Sequence, residues 1–194
     1  VTLDGAVVRL EPLSLEHGER LCEVGLDREL WRYSQTLVET REDMRAYVET
    51  ALRLRAEGAA LPFAVVERAS GRAIGSSRYA AIDRFNRRLE IGWTWYAPVW
   101  QRTAVNTETK YLMLRHAFET LGCLRVEFKT DALNERSRKA LLRIGAKEEG
   151  TFRRHMIMPG GRIRDSVYFS IIDSEWPAVR ARLEELLDRA GPAA

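Results

Sequence analysis

The stretch Leu89–Lys110 reads LEIGWTWYAPVWQRTAVNTETK, and it holds a strand, a turn and a helix entrance in 22 residues. Leu89 to Tyr96 is rich in aromatic and branched residues, as a strand requires, and Pro98 ends it. Alternation predicts Glu90, Gly92, Thr94 and Tyr96 on one face, with Leu89, Ile91, Trp93 and Trp95 on the other. The spacing of Tyr111, Leu114, Phe118 and Leu121 predicts a helix from about Thr107 to Leu121. A polar loop joins the two. First-turn amides of a helix lack intrahelical partners, and the helix dipole adds positive charge there, so such a junction can cradle a phosphate. Gln101, Arg102, Thr103, Asn106 and Thr107 would add side-chain donors. The competing reading is a polar surface loop capped by Asn106 or Thr107.

Outward from this junction the periodicity changes from segment to segment. Upstream, Val7–Leu10 reads as a strand ended by Pro12, and Ser14 as the N-cap of a helix to about Val24. Thr40 and Asp43 form a capping-box pattern before a helix with Met44, Tyr47, Val48, Ala51 and Leu52 on its apolar side. Pro62–Glu67, Ala73–Tyr79 and Leu89–Tyr96 form a three-strand meander. Downstream come a strand from Leu124 to Thr130, a short helix from Ser137 to Ile144 stopped by Gly145, and a hairpin around Pro159-Gly160-Gly161. A last helix runs from about Glu175 to Asp188. Strands and helices interleave in this order in a mixed α/β sheet.

Composition bounds the class. The chain has 194 residues and 45% hydrophobic content, enough for a real core and ordinary for a globular protein. No apolar run approaches the roughly 20 residues that cross a bilayer. No secretory signal is visible at the start, so a cytoplasmic protein with reduced Cys22 and Cys123 is expected. The three His at 17, 116 and 155, without paired Cys, make no metal-ligand set. The net charge of +3 suits anionic ligands but does not call for direct nucleic-acid binding.

Two motifs and the element order resemble the GNAT N-acetyltransferase superfamily, RimJ/RimL-like branch, over nearly the whole chain. The family's pyrophosphate loop, Gln/Arg-x-x-Gly-x-Gly/Ala, falls on Gln101-Arg102-Thr103-Ala104-Val105-Asn106. Ala104 and Asn106 replace both glycines, and Asn is the residue besides Gly that best tolerates a left-handed backbone. The second motif is Asn134-Glu135-Arg136-Ser137 followed by Ile144-Gly145-Ala146, similar to the family's Asn-x-x-Ser…Gly-(Phe/Ala) signature. The residues themselves also permit a plain helix cap at Asn134 or Ser137.

The resemblance implies a mixed, mainly antiparallel, twisted central sheet flanked by helices, in one acetyltransferase domain over residues 1–194. It implies acetyl-CoA as co-substrate, with no metal, held by Trp95, Tyr96, Gln101 to Thr107, Asn134 and Ser137. Glu90 would be the general base, since partial burial raises a carboxylate toward the useful range. The alternative for Glu90 is a salt bridge to Arg78, Arg87 or Arg88. Ser137, then Tyr168, would protonate the CoA thiolate. The acceptor, a protein N-terminus or a small amine, would meet Tyr33, Glu90 and His155, in the loop Trp31–Glu39 and the hairpin after Thr151. A monomer or homodimer is expected. The rival function is a non-catalytic ribosome- or RNA-associated module that kept the fold without the cofactor.

Overall fold

The computed structural model describes residues 1–190. Eight strands form one sheet in the order β1-β2-β3-β4-β5-β6-β8-β7. They are β1 Leu3–Asp4, β2 Val8–Pro12, β3 Leu61–Glu67, β4 Ala73–Asp83, β5 Arg88–Tyr96, β6 Arg125–Asp131, β7 Lys147–Ile157 and β8 Ile163–Ile172. All neighbours are antiparallel except β5 and β6, which are parallel. A parallel pair needs a crossover, and here it is the helix α3, Ala104–Arg115.

The sheet has a core on each face. On one, α1 (Leu15–Leu21) and α2 (Arg41–Ala56) pack Leu21, Met44 and Val48 with Trp31, Ala64, Ala73 and Trp95. On the other, α3, α4 (Glu135–Ile144) and α5 (Trp176–Ala190) pack Leu112, Leu141 and Leu183 against Phe63, Tyr79, Ile91 and Phe128. Local chemistry sets the helix ends. Ser14 caps α1, Thr40 and Asp43 complete the capping box of α2, and Gly145 closes α4 at φ 97°. The hairpin turn at Pro159-Gly160-Gly161 lies between β7 and β8, as its residues require.

Four expectations about the elements need correction. The α1 helix stops at Leu21 rather than Val24. The α3 helix begins at Ala104, three residues before Thr107, and its cap is Thr103, whose Oγ1 accepts the Val105 N–H. Past Arg115 the helix widens into one π turn, His116–Thr120, which rotates the register and leaves Leu121 49% exposed rather than on the apolar stripe. The strand β5 does not alternate throughout. Register pairs Ser76 with Trp95 but Arg78 with Gly92, so Trp93 and Thr94 stand opposite Ser77 alone. This is a bulge, with Trp93 in the left-handed region at φ 50°. It exchanges the faces: Trp93 and Trp95 join the α1–α2 core, while Tyr96 joins the α3 core. Glu90 and Gly92 therefore do not share a face with Thr94 and Tyr96.

Candidate functional site

The site is built where β5 and β6 part. They pair only at Arg88–Arg125, Leu89–Val126 and Glu90–Glu127. Beyond Glu90, β5 has no partner on that side among the described residues, so the strands splay. In an open sheet, ligands gather outside the carboxyl ends of parallel strands, where helices begin. Here β5 leads to α3 and β6 to α4.

The two helix entrances are tied together. The Arg136 guanidinium in the first turn of α4 bonds the Gln101 side-chain oxygen, and from the last turn of α4 Arg143 Nη2 donates to Thr107 Oγ1 at 2.9 Å. Gln101 Nε2 donates to the Tyr96 carbonyl at 2.9 Å, which closes the loop onto the end of β5. Gln101 and Thr107 are thus braces. Arg102 and Thr103 are exposed at the helix entrance; Ala104 and Asn106 are half-buried in the first turn, and Val105 faces the core. The left-handed residue in this loop is Arg102, at φ 63°, while Ala104 and Asn106 are helical. The missing glycines are therefore not missing conformations, and the left-handed role expected of Asn106 does not exist.

Asn134 is the N-cap of α4, its Oδ1 accepting the Ser137 amide at 3.1 Å. Its side-chain amide donor is not used in that cap. Ser137 lies in the same first turn, half-buried. The cap reading of Asn134 is correct, and it leaves the N–H₂ end available to a ligand.

The opposite side of the splay is polar. Val126, Phe128, Val167 and Phe169 point into the α3 core, so Glu127, Lys129 and Tyr168 face the other way, with Glu90. Glu90 is 6% exposed, and its partner is Lys129 Nζ at 3.3 Å, not Arg78, Arg87 or Arg88. Burial raises the Glu90 pKa, and the Lys129 ammonium opposes that rise. Gly92 does not leave an open space beside it: a Cβ there would stand 2.7 Å from Glu90 Oε1. The carboxylate itself fills the gap.

Tyr168 stands opposite Lys129 in register, packs against Phe152 with ring centroids 4.5 Å apart and tilted by 36°, and meets His155 at 5.8 Å. Burial raises its pKa. His155 is held down by burial, then by Lys129 and Arg164, and its Nδ1 is buried without a partner. Asp165 accepts the Arg154 amide at 2.6 Å, which holds the β7 bulge. Tyr33 is half-buried with the Arg32 guanidinium 5.5 Å from its ring. Its loop reaches the hairpin, since the Gln35 amide contacts the Met156 sulfur. The two segments expected to form an acceptor site do meet.

Two residues escaped the sequence reading. Lys110 of α3 is 5% exposed, donates to Thr94 Oγ1 at 2.8 Å, and burial lowers its pKa to about 7. Glu108 is likewise buried, and it bonds the N-terminal turn. The residues Thr107 to Lys110 form four consecutive buried positions on α3. A helix polar in sequence and buried nearly all round signals functional or bracing contacts, and that was the available clue.

Comparison with known proteins gives a consistent result. Residues 8–147 match the family described as "Acetyltransferase (GNAT) domain". The chain is 27% identical over 171 residues to "Uncharacterized N-acetyltransferase p20" of Bacillus licheniformis, covering 86% of this chain and 93% of that protein. It is 35% identical over 95 residues to "Putative ribosomal N-acetyltransferase YdaF" of Bacillus subtilis, covering 49% of this chain and 51% of that protein. The crystal structure of a GCN5-related N-acetyltransferase from Brucella melitensis superimposes with TM-score 0.89 and 33% identity, covering 96% of this chain and 85% of that one.

Proposed function

The chain belongs to the acetyltransferase (GNAT) domain family, and from that premise we propose that it moves an acetyl group from acetyl-CoA to a primary amine, in a RimJ/RimL-like manner. The observation that carries this is the splay of β5 from β6, with two helix entrances joined by Arg136 and Gln101 at its end and a buried Glu90–Lys129 pair on its polar side. Acetyl-CoA supplies the activated thioester. The residues fit it: the amides of Arg102, Thr103, Ala104 and Asn106 suit its pyrophosphate. The Asn134 amide and the edge of β5 around Trp95 that faces β6 without a strand partner suit its arm.

Glu90 accepts the proton that the amine sheds as its new C–N bond forms. A carboxylate raised by burial is the better base for this. A backbone N–H near Trp95 steadies the oxyanion. The C–S bond breaks as the C–N bond is completed, and Ser137, with Tyr168 second, gives a proton to the departing CoA thiolate and is reprotonated from solvent. A protein α-amine, pKa about 8, needs less help than a Lys amine near 10.4, which favours an N-terminus or a weakly basic small amine. The kinship with YdaF supports a ribosomal-protein N-terminus as one such acceptor. No helix among the described residues is long and apolar enough to cross a membrane.

The test is thiol release from acetyl-CoA against a panel of N-terminal peptides and small amines, with acetylated product identified by mass. Turnover supports the enzyme. No turnover and no thermal stabilisation at millimolar acetyl-CoA, with salt-sensitive RNA binding, would support the binding module instead.

Two variants address the cradle. Asn106→Asp places a carboxylate against the phosphates but in a helical first turn, where acidic residues are favourable. Its melting temperature should hold while acetyl-CoA affinity falls about tenfold or more, roughly 1.4 kcal/mol. Unchanged affinity would place the pyrophosphate elsewhere. Asn134→Ser keeps an oxygen for the Ser137 amide and removes the free N–H₂ group. Stability should change by under about 0.5 kcal/mol, while the KM for acetyl-CoA rises several-fold. An unchanged KM would leave Asn134 as a cap only.

A further inference from the structure

The polar side of the splay holds a cation that the chemistry above does not use. Arg78 of β4 is 2% exposed, and its Nε and Nη2 have no hydrogen-bond partner. Its guanidinium carbon is 5.0 Å from the centroid of the Tyr47 ring and 5.0 Å from that of the Trp93 ring. A cation–π contact attracts the charge without accepting its in-plane N–H groups, so the Nε–Nη2 edge, a fork matched to a carboxylate, stays unfilled. An unpaired buried donor is unfavourable, and an unpaired buried cation more so. The cover is also strained: Trp93 reaches its place from a left-handed backbone at φ 50°, which a bulky residue enters rarely. Strain of that kind gathers at ligand sites.

The register puts Arg78 beside the proposed base. Arg78 pairs with Gly92 and Ala80 with Glu90. Arg78 is thus one diagonal step from Glu90 on the same face, about 7–8 Å between backbones. The residue between them, Gly92, has no side chain. The remaining charges on this face are also mostly positive. Lys129 lies 3.3 Å from Glu90, and Arg164 is 5% exposed with Nε donating to Ser166. The nearby acids are engaged, Glu127 by Arg88 and Arg125, and Asp131 by Arg162. Buried positive charge is in surplus there.

We propose that Arg78 receives a carboxylate of the acceptor, so that preferred acceptors carry a carboxylate close to the amine that is acetylated. This rests on the acetyl-transfer reading and narrows its substrate class. A free amino acid and a peptide with an acidic first residue both offer this chemistry.

Matched pairs separate them: free amino acids against their carboxamides, and peptides beginning with Asp against the same peptides beginning with Asn. With acetyl-CoA and the full chain, the carboxylate member of one pair type should be favoured at least about tenfold in kcat/KM, equivalent to one bidentate charge contact. Arg78→Met should reduce that preference to within about twofold. Arg78→Lys, which keeps a cation beside the two rings if the Met variant fails to fold, should retain part of it. The pairs are also titrated calorimetrically onto CoA-loaded protein. Equal use or equal binding of both members by the wild type overturns the proposal, as does a preference that survives in Arg78→Met. No turnover of any amine defeats the acetyl-transfer reading instead, and the titration then decides the carboxylate site alone.

Discussion

Glu90→Gln is expected to lower turnover by about 10²–10⁴ at neutral pH, the range for loss of a general base, with acetyl-CoA affinity unchanged. Gln keeps the shape of the side chain and its place beside Gly92, but it cannot accept the proton. The loss should shrink as pH rises, because a growing fraction of the amine is then already neutral. In the wild type, activity should rise with pH through the Glu90 pKa, which burial has moved upward. Losing the carboxylate also leaves Lys129 without its partner at 3.3 Å, so a thermal melt must accompany the kinetics. A pH-independent loss of only two- or threefold would remove Glu90 from the chemistry and leave its pair with Lys129 as a structural one.

The largest expected effect on stability lies elsewhere. Glu108 is 5% exposed and accepts three backbone N–H groups, from Ala6 at 2.8 Å, Val7 at 2.7 Å and Val8 at 2.6 Å. It fastens the N-terminal turn between β1 and β2 to α3, the helix that opens the phosphate cradle. Gly5 makes room for it, since a Cβ there would stand 2.4 Å from the Glu108 carboxyl carbon. Each hydrogen bond to a charged acceptor contributes about 1.5–3 kcal/mol, and part returns when water reaches the freed amides. Glu108→Ala should therefore cost about 3 kcal/mol and lower the melting temperature by roughly 6–12 °C. Glu108→Gln, which keeps one acceptor, should fall between. A shift within a degree or two would mean that the turn holds without it.

The elements and caps were legible because they depend on neighbours in sequence. Ser14, Thr40 with Asp43, and Gly145 stand where local hydrogen bonding and a left-handed φ require them. The meander and the hairpin followed from period-2 patterns and turn residues. What escaped was set by contacts distant in the chain. Alternation assumed an unbroken period through Trp93, but the bulge appears only when β5 is laid against β4. The partner of Glu90 is 39 residues away on β6, nearer in space than the arginines of the meander. The N–H groups held by Glu108 are about a hundred residues away. Arg102 carries the left-handed geometry that family glycines led one to seek at Ala104 and Asn106. The β1 strand, two residues long, is too short for any pattern.

In the proposed function acetyl-CoA lies in the splay between β5 and β6, with its phosphates at the start of α3. Backbone hydrogen exchange with and without acetyl-CoA tests it most directly. Exchange should slow at Gly92–Tyr96 and at Arg102–Asn106, with smaller changes at the start of α4 and little at β1 or β2. Unchanged exchange in both segments at saturating acetyl-CoA, or protection confined to another part of the chain, would contradict it.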